Sequence, residues 1–218
     1  MTIARRSFGR SGPELAVAGF SAAQSNTVLV GIPIILKAYG AAGAVPLALL
    51  LAVHLPITMT AATILAEGRS ASPLDLAKRL LTHPIIVGII LGTIARPFVS
   101  VLPEPFWKVV DGLGGTVTTC ALVSLGIAMR RYGLKSGIGP AAILSSLKLV
   151  LHPLIVFVLA LYVFDMPRAW AGVAILFAAC PCGINAYLFA ERYKQGAGDA
   201  SAAIALSTGL ALFTVAGW

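Results

Sequence analysis

Two asparagines, one lysine and a Cys-Pro-Cys triplet are the residues of this chain best placed to do chemistry. Residues 179–193 read ACPCGINAYLFAERY, inside a stretch that is otherwise oily. Thiolates at Cys180 and Cys182 would suit a soft ion such as Cu(I). The third cysteine, Cys120, lies elsewhere and no Cys/His cluster accompanies the pair, so the reading is no metal, with the thiols as small apolar fillers. Pro181 removes a backbone donor and Gly183 lets backbone approach closely. Asn185 then offers both a donor and an acceptor. Residues 21–33 read SAAQSNTVLVGIP and repeat that layout, with Asn26 near mid-stretch and Gly31 and Pro33 close by. A helix broken at such a place presents free amides and a positive N-terminus to an anion. Asn26 and Asn185 are therefore the leading substrate contacts, with Ser25, Thr27 and Tyr187 as further hydroxyls. Pro33, Pro181, Gly31 and Gly183 mark the helix breaks.

Lys148 is the sole Lys or Arg deep inside an apolar span, Arg96 falling near the far end of the span at 80–102. A lysine there costs about 2.5–3.5 kcal/mol on insertion scales, so it must face protein or snorkel. It can serve an anionic substrate or the carbonyls of a broken helix; packing, or a reach to headgroups, is the equal alternative. His152, one turn on, shares its face and reads as a hydrogen-bonding residue at a kink ahead of a proton relay. His54 and His83 closely precede prolines and receive no chemistry. No carboxylate lies deep in any span, which argues against an acidic proton or sodium carrier. With no catalytic triad, metal triad or phosphate loop in view, no enzyme activity and no cofactor are expected.

These residues need elements to hold them. The chain has 218 residues, 58% hydrophobic and 11% charged, with a mean hydropathy of +0.93. A soluble domain carries about 25% charged residues, and apolar runs near twenty residues cross a bilayer. Seven spans are predicted, at 15–36, 44–66, 80–102, 109–129, 138–163, 169–190 and 201–217. Eleven Lys and Arg fall in the segments on one side and four on the other. That bias places the N-terminus in the cytoplasm and the C-terminus outside. It also makes the net charge of +8 an orientation signal, with no nucleic acid implied. Span 15–36 then runs outward and span 169–190 inward. Each is followed by a small-residue turn (KAYGAAGA, KQGAGDA) and an apolar helix. The two pairs relate by inversion, a pattern of secondary transporters whose discontinuous helices meet near the midplane.

Ser25-Asn26-Thr27 through Gly31-Ile32-Pro33, and Asn185 through Tyr193, resemble the two crossover helices of the auxin efflux carrier family. LVSLGIAMRR (122–131) and LKLVLHPLIVFVLA (147–160) fit as well. The resemblance implies an all-α polytopic membrane protein with the inverted-repeat fold of the bile-acid symporters, about seven of the expected ten helices being present. It divides the chain into a basic cytoplasmic segment (1–14), the last two helices of a first repeat (15–66), a cytoplasmic linker (67–79) and a complete five-helix repeat (80–218). Three helices are expected ahead of Leu15. It implies carriage of small organic anions, such as malonate or other carboxylates, across the bacterial inner membrane by alternating access. The partners are the organic anion and the lipid bilayer; a homodimer is allowed, not required. The competing reading is a membrane fragment or subunit that needs a partner chain.

Overall fold

A computed structural model describes residues 12–68, 72, 74, 77–78, 81–82, 84–99, 101–131 and 138–218. Arg5, Arg6, Arg10, Arg69, Arg79, Lys135 and His83 lie outside the described residues. Every regular element among the described residues is helical. Helix α1 covers Gly12–Ala23, and a π-helical turn, Thr27–Gly31, leads into α2, Ile32–Glu67. Helix α3 covers Pro84–Ala95 and α4 Glu104–Arg131. Helix α5, Ile138–Ser146, continues through a π-turn at Leu147–Leu151 into α6, His152–Val158. Helix α7 covers Arg168–Ala179, α8 Ile184–Tyr193 and α9 Ala197–Thr214.

Two of the expected spans are interrupted, each for a local reason. In the first, the polar triplet Gln24-Ser25-Asn26 ends α1, and Asn26 adopts φ −77°, ψ 68°, outside the helical region. Pro33 does not mark this break. It sits in the first turn of α2, where a proline's missing N–H costs nothing. In the second, Pro181 forces its predecessor out of the helical region: Cys180 has φ −57°, ψ 147°, and α7 stops at Ala179. The small-residue turn after the first break is also real. Gly40 has φ +54°, which glycine adopts without strain, and it bends α2 into limbs 32–39 and 41–67.

Three helical stretches among the described residues are long and apolar enough to cross a bilayer: Thr27–Glu67, Ile138–Val163 and Ala197–Gly217. Their outward faces expose Val45, Val53, Ile57, Leu154, Leu212 and Phe213, as lipid-facing surfaces do. The protein is an integral membrane protein. Its interior is built largely of alanine. Ala16, Ala62, Ala186, Ala190 and Ala200 pack around Phe20, Phe189 and Ile204, small residues that let helix backbones draw close where no hydrophobic driving force exists between helices. Phe20 and Phe189 lie 4.9 Å apart, centroid to centroid, and tie α1 to α8. At the far end of α8, Tyr193 Oη donates to Glu67 Oε1 at 2.5 Å and so fastens α8 to the end of α2.

Candidate functional site

The two interruptions meet. Asn26 N donates to the Pro181 carbonyl at 2.8 Å, and Gly183 N donates to the Gln24 carbonyl at 2.8 Å. Ser25 and Cys182 thus pair as an isolated antiparallel β-bridge. Each unwound segment satisfies backbone groups that the other's departure from helix would leave stranded. Cys182 N donates to Ser207 Oγ of α9 at 3.0 Å. Gly183 is required here by distance, not by dihedral. A Cβ on it would stand 2.8 Å from the Ser25 carbonyl oxygen, closer than real Cβ atoms come. A Cβ on Gly31 would stand 3.2 Å from Cys180 Sγ and 3.4 Å from Thr27 Cβ.

Beyond the bridge, two helices begin. No side chain caps the turn that starts after Asn26, and none caps α8, whose cap residue is Gly183. Both N-termini line one cavity of about 130 Å³, with Ser25, Asn26, Thr27, Val28 and Leu29 from one and Gly183, Ile184 and Asn185 from the other. Gln24, Leu51, His54, Leu55 and Phe177 close the remaining wall. The volume lies well below the ~300–1,000 Å³ of drug-sized sites, so it suits a solute of a few heavy atoms. Asn26 is 5% exposed and Ser25 2%. Their side-chain atoms Nδ2 and Oγ, with Nε2 of His54, are buried without a hydrogen-bond partner. Buried polar atoms in native proteins are rarely left so. The chemistry of the wall is therefore donor-rich, electrically positive at two helix ends, and free of carboxylates. A larger hollow, about 440 Å³, is lined by Val30, Ile34, Leu176, Pro181 and Leu212 among others, and is too apolar to hold an ion.

The opposite ends of the broken helices carry negative character. Lys148 answers one of them. It is 0% exposed, donates a short hydrogen bond to the Ala178 carbonyl in the last turn of α7, and lies 3.2 Å from His152 Nδ1. Of the two functions the sequence allows it, this is service to the carbonyls of a broken helix; Lys148 does not line the cavity. Neither does Tyr187, which packs beside the Phe20–Phe189 core. Cys180 and Cys182 are buried free thiols. Cys180 Sγ donates to the Leu176 carbonyl at 3.2 Å. Among the described residues no group of three His, Cys, Asp or Glu converges on a metal-sized site.

So Ser25, Asn26, Thr27, Asn185 and Gly183 come together at the cavity, while Lys148, Gly31, Pro33 and Pro181 lie outside its wall. Sequence reasoning passes over Gln24 and His54. The signal for His54 is present, since an ionisable residue mid-span is a functional candidate by default. Its ring meets Phe177 edge-on at 5.0 Å and stacks on His152 at 6.5 Å. Gln24 Oε1 accepts from Thr58 Oγ1 at 2.8 Å, which braces the first break against α2.

A sequence model of the membrane transport protein family, which takes in the auxin efflux carriers, matches residues 71–218. The chain belongs to that family. A Rhizobium meliloti relative described as "Putative malonate transporter" is 29% identical over 212 residues, covering 94% of this chain. The chain spans 66% of that relative's length. The family is one of membrane transport proteins.

Proposed function

We propose that this protein is a secondary carrier of small organic anions, malonate among them, working by alternating access at the cavity between the two broken helices. The observation that carries the reading is the convergence of two uncapped helix N-termini, each with its asparagine, on one small cavity. A carboxylate accepts hydrogen bonds from amides and from Asn Nδ2, and gains from the dipole of the helix that presents them. A dicarboxylate can place one end at each terminus. Asn26 and Asn185 are assigned to the substrate, with Ser25 and Thr27 as secondary contacts; Lys148 and Tyr187 are assigned to positioning. Malonate enters as the compound that names the Rhizobium relative.

In this reading the breaks are the crossovers of two inverted repeats, with 15–66 the last two helices of one and 80–218 the other. The segments 1–14 and 67–79 lie in the cytoplasm, the C-terminus lies outside, and the membrane is the bacterial inner membrane. Rocking of the crossover helices against a scaffold would open the cavity to each side in turn. The antiparallel sense of the bridge and the alternation of basic residues support it.

Uptake of labelled malonate into liposomes carrying the purified protein tests the proposal. Removing one charge-assisted hydrogen bond costs about 1.5–3 kcal/mol, or roughly 10- to 150-fold in affinity. Asn26→Ala and Asn185→Ala should each lose uptake on that scale while still inserting into the membrane. Unchanged uptake in both would remove the cavity from the mechanism.

A further inference from the structure

On the reading that the cavity holds a carboxylate, we propose that His54 takes up a proton together with the anion, so that carriage is proton-coupled. Of the residues lining the cavity, among those described, His54 is the one whose side chain can take up a proton and become a cation. Its Nε2 is buried with no partner, while Phe177 and His152 fix its ring plane. The neighbouring histidine is committed elsewhere. His152 Nδ1 lies 3.2 Å from the Lys148 amine, and an ammonium can donate only to an unprotonated nitrogen, which keeps His152 neutral. The proton is left to His54.

The groups facing His54 can be named element by element. The segment from α5 through α6 brings Lys148, whose charge acts on His54, and His152 beside it. The first broken helix brings Gln24, Ser25, Asn26 and Thr27, and α8 brings Asn185, none of which titrates. Helix α7 brings Phe177, and its break the two buried thiols, whose electrostatic partner is Lys148. No carboxylate stands among the residues of the wall. With the cavity empty of anion, a charged His54 would face a positive lysine and two positive helix ends. An arriving carboxylate reverses that balance. The protonated ring becomes a charge-assisted donor to it, and by linkage the proton and the anion each strengthen the other's binding by the same factor. The proton enters from the water on the substrate's side and departs on the other, returning His54 neutral. A monocarboxylate then crosses without net charge, and a malonate dianion with one negative charge.

The test uses liposomes that hold the protein and a trapped pH indicator, with the voltage clamped and malonate as the probe. An inward malonate gradient should acidify the lumen of wild-type vesicles, and His54→Gln should lower the ratio of protons to malonate by about tenfold or more. Wild-type binding of labelled malonate should also tighten from about pH 8 to about pH 6, by about 5-fold up to the roughly 100-fold ceiling that one proton sets over two pH units; this arm stands even if the variant does not fold. Net malonate uptake without acidification, uptake driven by sodium alone, or an unchanged ratio in His54→Gln would overturn the coupling and leave the carrier reading intact. A wild-type protein that neither exchanges nor takes up malonate would overturn the malonate reading beneath it.

Discussion

Lys148 has no exposed atom to offer a headgroup and no place in the cavity wall, yet its position is dictated by charge. Helix α7 stops abruptly at Ala179, so its last carbonyls lose their intrahelical donors. The Lys148 amine supplies one of them at Ala178, cancelling the negative end of the helix dipole where no water can. Lys148→Met keeps length and apolar stem but strands that carbonyl. The variant should lose about 1–3 kcal/mol of stability, seen as a lower unfolding midpoint in detergent. Equal or greater stability would mean that desolvating the lysine outweighs what it binds. The sequence makes Lys148 conspicuous but leaves its partner open, because the Ala178 carbonyl is supplied by a helix thirty residues further along. His54 was harder to read. Its neighbours in the sequence are apolar, and the broken helices that make it part of a cavity are brought to it only by folding.

At the scale of elements, the two breaks differ in how they are encoded. Pro181 announces one of them, since it both lacks a donor and pushes Cys180 into extended conformation. Nothing so strong announces the other. Gln24-Ser25-Asn26 can be helical, and its unwinding depends on Pro181 and Gly183 offering backbone partners. The asparagines were legible from the sequence, while the position of the first break relative to Pro33 was not. Glycine at 183 is what allows the pairing. Gly183→Ala would drive a Cβ against a backbone oxygen that cannot swing away, at about 1–3 kcal/mol. Gly31→Ala meets a cysteine side chain that can yield and should cost less. Thermal unfolding of the two variants should rank them in that order, and the reverse ranking would contradict the close approach at the bridge.

Over the whole molecule, each of the seven apolar spans read from sequence contains helix among the described residues, with the first and sixth divided, and three helical stretches there are long and apolar enough to cross a bilayer. What the sequence conveys well at this scale is hydropathy and charge alternation, both properties of the solvent on each side of the bilayer. It conveys little of which faces pack, because a lipid-facing and a buried alanine look alike. The orientation has its own test. Single cysteines replacing Arg131 and Arg168, in a background without the native three, should be labelled from the cytoplasmic and the outer side respectively. Labelling from one side would break the alternation on which the inverted arrangement rests.

The central claim is that the two broken helices pair backbone to backbone at the wall of the site. Antiparallel partners hold their Cα atoms about 4.5–5.5 Å apart, inside the ~4.4–6.8 Å that a disulfide spans. Ser25→Cys, with Cys182 retained, Cys120→Ser and Cys180→Ala, should therefore crosslink in membranes under a permeant oxidant. After cleavage at a protease site introduced between residues 69 and 79, the two fragments should migrate together until reduced. Fragments that separate without reductant, in a protein that is otherwise folded, would contradict the account.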